Sequence, residues 1–251
     1  MPRYALLLAW DGTDFAGWWR QPGRRTVAGE LDAAFARLGL PGVEAVGASR
    51  TDAGVHAEGQ LAHADLPRAH DPARLRDLLD RQLPPDLVLR GVAAVAPDWH
   101  AVHGVRRKTY RYRIDLAQPR DPFARRCAWR PPWPLDPALL AAAAAEVPGR
   151  RTWSAFVRRG EHRADTVCRV LSCRWRPVAG GLACDLAADA FIYRLARSLI
   201  GGMALVGRGG CSLGDWRTVL AGTAGEAARQ QAPAHGLSLL RVVHRAPPAW
   251  S

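Results

Sequence analysis

The sequence predicts an α+β fold built from two halves, and three observations carry that reading. Apolar strand-like segments alternate with amphipathic helical stretches along the chain. At 251 residues it is long enough for one large domain or two similar halves. A basic run, Arg106-Arg107-Lys108, opens a second succession of elements and sets the halves at 1–105 and 106–251.

Each element follows from its residues. Tyr4 to Trp10 is an apolar strand. Val27 to Leu38 is a helix with Leu31, Ala34, Phe35 and Leu38 on one face and Gly39 as its stop. A strand from Val43 to Ala48 enters from the turn at Pro41-Gly42. Leu61 to Leu66 alternates apolar and polar residues, as a half-buried strand does. A helix from Pro72 to Gln82 and a strand from Asp86 to Val95 complete the first half. The second half opens with a strand through Tyr110, Tyr112 and Ile114. Asp136 caps a helix containing Ala141 to Ala145, which Pro148-Gly149 ends. Strands at Thr166 to Trp175 and Leu182 to Leu186 lead to a long helix from Ala190. Gly207-Arg208-Gly209-Gly210 follows that helix and lacks the lysine of a phosphate loop, so it reads as a C-cap. The last strand runs from Leu237 to Val243, and the Pro247-Pro248 tail is expected to fray.

Composition narrows the partner. The chain carries 35 Lys+Arg against 23 Asp+Glu, a formal net charge of +12, which fits a polyanion. Only one of those basic residues, Lys108, is a lysine, so a GC-rich coding bias accounts for the arginines equally well. Arginine still suits RNA, because its planar fork pairs with phosphate and stacks on bases. The cysteines (Cys127, Cys168, Cys173, Cys184 and Cys211) are odd in number, form no C-x-x-C and follow no secretory signal. Reduced thiols in a cytoplasmic protein are the simplest reading. No apolar run is long enough to span a bilayer, so no membrane is expected. His100 and His103 lack companions at metal-ligand spacing, so no metal is expected either.

The most informative stretch is Ala48-Ser49-Arg50-Thr51-Asp52-Ala53-Gly54-Val55-His56, a charged turn between two apolar segments. Asp52 sits where a strand hands over to the turn, and Gly54 can adopt a backbone other residues resist. Arg50, two residues earlier, shares a face with Asp52 on an extended backbone. A carboxylate near a guanidinium stays ionised, as a nucleophile or general base must. An Asx turn or a surface ion pair accounts for the same pattern. Farther on, Arg107 to Tyr112 alternates cations with aromatics, which can bind phosphate and stack bases or can simply cover the core. On a wheel of about 100° per residue, Phe191, Ile192, Leu195, Leu199, Gly202 and Met203 fall on one arc. Arg194, Arg197 and Gly201 fall on another. The first arc is core, and the second faces solvent or a cleft.

The string SRTDAGVHA resembles the catalytic signature of the tRNA pseudouridine synthase A family, in which its aspartate is the nucleophile. Trp10 to Trp18 resembles the family's Y-D-G-x-x-F-x-G-W segment. Further matches follow in the family's order along nearly the whole chain. They are Leu83 to Asp86, Trp99 to Ala101, Lys108 to Tyr112, Trp153 to Phe156, Thr166 to Arg169, Ala190 to Gly201 and Gly236 to Leu239. The resemblance implies a mixed, mainly antiparallel sheet of two related halves, with helices on one side and an RNA-binding cleft on the other. It implies a homodimer, no cofactor, and tRNA as the partner, modified at uridines 38, 39 and 40 of the anticodon arm. It makes Asp52 the nucleophile, Arg197 its ion-pair partner and Tyr110 the ring against the target uracil. Arg50 then enters the RNA helix, Leu237 packs beneath the base, and Arg106 and Arg107 meet phosphates. Departures occur at Trp10, Trp19, Val102, Lys108-Thr109, Ile192 to Ala196 and Ser238, residues that bear on how RNA is gripped. Two other classes use the same features. One is a non-catalytic tRNA-binding or remodelling protein on the same fold. The other is a carboxylate enzyme such as a glycoside hydrolase, which needs a second carboxylate near Asp52, with Glu58 and Asp65 the nearest.

Overall fold

The computed structural model describes residues 1–157 and 166–250. The chain divides into two compact units, Met1–Lys108 with Ser238–Ser251, and Thr109–Leu237. Each is α+β with a mainly antiparallel sheet, the predicted class.

The first unit holds β1 (Arg3–Trp10), α1 (Val27–Arg37), β2 (Val46–Gly47), β3 (His56–Asp65), α2 (Pro72–Asp80) and β4 (Leu87–Val95). It also takes the first residues of β5 (Val105–Asp115) and nearly all of the last strand, Leu237–His244. β1 lies between β4 and β3 and runs antiparallel to both, with Leu6 opposite Val92 on one side and Ala62 on the other. The last strand joins β3 in parallel, His56 opposite Ser238. Helix α1 begins at Thr26, whose hydroxyl accepts from Gly29 N at 3.2 Å, and it buries Val27, Ala28, Leu31, Ala34 and Phe35. Asp71 caps α2 in the same way, with Pro72 at the first helical position.

The second unit holds the rest of β5 and α3 (Pro137–Ala145), β6 (Gly149–Thr152), β7 (Val167–Val178), β8 (Gly181–Ala188), α4 (Leu195–Gly207), α5 (Leu213–Leu220) and α6 (Glu226–Arg229). Its strand order is β5-β8-β7-β6. Asp136 accepts from Ala138 N at 2.7 Å, as expected of its cap. Arg208 and Gly209, the latter at φ +75°, end α4 as the sequence predicts. With the last strand, β9 (Leu237–His244), the described residues form nine strands.

Several elements differ from expectation. The strand expected as half-buried from Leu61 begins at His56 and is buried on both faces, and β6, α5 and α6 lie outside the expected elements. The segment before the Asp52 turn forms only the two-residue β2, because only Val46 and Gly47 pair with β3. The helix expected from Ala190 begins at Leu195. Ahead of it, the Asp189 carboxylate accepts from Arg169 N at 2.8 Å and Ala190 N at 2.7 Å, which ties the chain back to β7, and Arg194 sits at φ +61°. Phe191, Ile192 and Arg194 therefore lie outside the helix whose wheel they fit. The tail does not fray through Trp250. Ala246 O accepts from Trp99 Nε1 at 2.8 Å, and the Trp250 ring lies so close to Gly91 that a Cβ there would meet it at 3.1 Å.

Candidate active site

In the first unit the Asp52 turn is held by its own backbone groups. Ala48 N donates to Leu61 O on β3 at 2.7 Å. Gln60, fully buried on β3, then grips Ser49 from both sides. Its Oε1 accepts from Ser49 N at 3.2 Å and its Nε2 donates to Ser49 O at 2.5 Å. Thr51 O accepts from Trp18 N at 3.1 Å, Gly54 N donates to Phe15 O at 3.2 Å, and Val55 N closes the turn on Asp52 O at 3.2 Å. Gly54 has φ +78°, the left-handed backbone its position invited.

The segment from Trp10 to Trp18 is the bed on which this turn lies. Trp10 Nε1 donates to Val55 O at 2.9 Å, and Gly12 N donates to His56 Nδ1 at 2.9 Å. A Cβ at Gly12 would stand 2.2 Å from Val55 O, and one at Gly17 would stand 2.5 Å from Thr51 O. Two backbones touch there, and only glycine lets them. Trp10 departs from the tyrosine of the family pattern, yet its indole N–H makes a buried bond to the turn. Gln60 was the residue sequence reasoning missed. Its signal was a neutral polar residue on a strand whose neighbours are buried on both faces.

Within the turn, Asp52 is partly exposed, Ala48, Ser49 and Thr51 are buried, and Arg50 points outward. The Arg50 guanidinium lies 4.4 Å from the centroid of Trp19, an exposed indole. Asp65, one of the two candidates for a second catalytic carboxylate, is committed to Arg3. Arg3 grips both of its oxygens at 2.7 Å and holds its pKa below the ordinary value. An acid locked in its ionised form cannot donate the proton a glycosidase requires. The first unit also carries Arg106, exposed, and Arg107, partly buried, at the start of β5.

Tyr110, Arg197 and Leu237 belong to the second unit. Tyr110 is buried on β5 and meets Phe191 edge to face, with centroids 5.0 Å apart. Tyr112, on the same strand face, donates its hydroxyl to Pro233 O at 2.9 Å, and burial raises its pKa well above the ordinary value. Arg197 lies in the first turn of α4. Its Nε donates to Ala232 O at 2.9 Å, and Ala232 N donates back to Arg197 O at 3.0 Å. A Cβ at Gly201 would stand 2.8 Å from Gln230, so the arc shared by Arg197 and Gly201 packs on the 230–232 segment and is not a solvated basic face. Leu237 is buried at the start of β9.

His63, His100 and His103 form a stack in the first unit, with successive centroids 4.5 and 4.2 Å apart. His63 Nδ1 accepts from Ala101 N at 3.3 Å, and burial lowers its pKa to about 4. Among the described residues, no three His, Cys, Asp or Glu side chains are grouped to hold a metal ion, and no helix is long and apolar enough to cross a membrane.

Comparison with known proteins adds to this geometry. Residues 143–244 match a family model described as tRNA pseudouridine synthase. The chain is 33% identical to a tRNA pseudouridine synthase A of Streptococcus equi subsp. equi over 97% of its own length and 99% of the relative's. It is 35% identical to one of Shouchella clausii, covering 98% of this chain and 95% of that one. A Streptococcus thermophilus counterpart is 35% identical over 88% of this chain and 90% of its own.

Proposed function

The chain belongs to the tRNA pseudouridine synthase A family, and from that premise we propose how its residues carry the reaction. The protein is an isomerase that forms pseudouridine in tRNA. In this reading its targets are the uridines of the anticodon arm at positions 38, 39 and 40, and Asp52 is the nucleophile. The observation that carries the reading is the pinned turn. Asp52 is partly exposed on a loop whose flanking backbone is clamped by Gln60, Trp10, Phe15 and Trp18. A reacting group held this way keeps its geometry through a reaction in which the substrate itself rearranges.

The chemistry is an isomerisation in which no atom is gained or lost. The N1–C1′ bond of uridine breaks, the uracil turns in place, and C5 bonds to C1′. C5 gives up its proton and N1 regains one. Asp52 acts by adding to C6, by attacking C1′, or by taking the 2′ proton, and every route needs an ionised, fixed carboxylate. Arg197 is the ion-pair partner of Asp52 and fixes its rotamer. The Tyr110 ring stacks on the uracil and assists removal of the C5 proton. Leu237 packs beneath the base. Arg50 enters the RNA helix, offsetting the few kcal/mol of unstacking a flipped nucleotide costs. Arg106 and Arg107 pair with phosphates. The reading includes a cytoplasmic homodimer whose tRNA touches both subunits, with no metal or cofactor in the chemistry.

The test is pseudouridine formation in unmodified tRNA transcripts, mapped by nucleotide, with wild type and Asp52→Ala side by side. Product in the anticodon arm with wild type alone is the expected result. Tight tRNA binding by both proteins with no product from either would establish a non-catalytic binder instead.

A further inference from the structure

Lysine is the exception among this chain's basic residues. Of its 35 Lys+Arg residues a single one, Lys108, is a lysine. Its place explains the exception. Lys108 is partly buried on β5 and its Nζ donates to Ala48 O at 2.7 Å. Ala48 is the buried residue that hands the chain to the Ser49–Asp52 turn. Several neighbouring contacts of this stretch are neutral: Leu61 O on Ala48 N, Gln60 on Ser49, Trp18 N on Thr51 O and Trp10 Nε1 on Val55 O. The Lys108 bond is charge-assisted, hence stronger than these neutral bonds.

The geometry points to Lys108 as a positioning residue that fixes the Ala48 carbonyl and, through it, the turn that presents Asp52. A lone buried carbonyl is met end-on by a point donor on a flexible stem. An arginine fork brings five fixed N–H groups that one carbonyl cannot satisfy. Burial is felt by the ammonium, whose pKa falls to about 8. Lys108 stands two residues before Tyr110 on β5.

This inference rests on Asp52 as nucleophile, and its test separates the two. Single-turnover pseudouridine formation at saturating tRNA and tRNA affinity are measured for wild type, Lys108→Met and Lys108→Arg. A positioning role predicts a rate about tenfold or more lower in Lys108→Met, with the dissociation constant for tRNA moved by less than about threefold. Lys108→Arg should recover the rate only in part. An active wild type with an unaffected Lys108→Met overturns the proposal alone, and a loss that appears entirely in affinity overturns it in favour of a phosphate contact. A wild type without product overturns the reading on which it rests. Should Lys108→Met not fold, the wild type labelled with nitrogen-15 at lysine decides. One side chain gives one resonance. A slowly exchanging ammonium with a midpoint near 8 supports the bond, and a fast-exchanging one with an ordinary lysine midpoint overturns it.

Discussion

Replacing Gln60 by Leu puts an apolar side chain of similar size in a fully buried position and removes both arms of the grip on Ser49. The Ser49 N–H and C=O would each lose their bond to Gln60. A buried polar group left unsatisfied costs about 1–3 kcal/mol, so the pair sums to roughly 2–6 kcal/mol. For a chain of this size each kcal/mol moves the melting temperature by about 2–4 °C, which gives a drop of roughly 4–24 °C. Gln60→Glu should do no better, because a carboxylate retains the acceptor for Ser49 N and faces Ser49 O with no donor. The assay is thermal unfolding of the three proteins, joined to single-turnover rates at a temperature where all are folded. The rate should fall with the clamp, since the turn that carries Asp52 starts at Ser49. A melting temperature within about 1 °C of wild type, with an unchanged rate, would refute the reasoning.

Acid should loosen the first unit through its histidine stack. Burial, then the neighbouring His100 and Arg3, lowers the His63 pKa from 6.5 to about 4, and His100 shifts the same way. The unfolded chain therefore takes up its proton first, and stability present above pH 6.5 drains away as the pH falls to about 4, by up to about 3 kcal/mol from His63. Urea unfolding across that window checks it, and His63→Leu should flatten the profile. Arg106→Ala and Arg107→Ala should weaken binding to all tRNAs alike and reduce the salt slope by about one unit for each lost phosphate contact. Neighbours on a strand face opposite ways, so the exposed Arg106 should show the larger effect, and an unchanged slope would mean neither touches phosphate.

Local chemistry made much of this protein legible in the order of its residues. A continuous apolar run marked β1 and a period-3.6 face marked α1, because a face that must be buried repeats at the period of its element. Asp136 and the glycines after α4 announced their caps, because capping is settled within a few residues. The SRTDAGVHA string located the turn. Periodicity failed where nothing local marks a boundary. Phe191 and Ile192 fit the wheel of a helix that begins only at Leu195, since the Asp189 carboxylate draws the chain to Arg169, a partner 20 residues away.

What the sequence by itself determined was the class of fold, the family and the position of Asp52, since each is written in short strings and repeating patterns. Tertiary structure alone decided how that turn is held. Gln60, Trp10 and Lys108 act on backbone atoms 11, 45 and 60 residues away in the chain, and Gly12 and Gly17 matter for backbones that approach from the far side of the turn. A hydrogen bond to a distant carbonyl leaves no period and no local preference in the sequence, so only the folded chain reveals which residues make it.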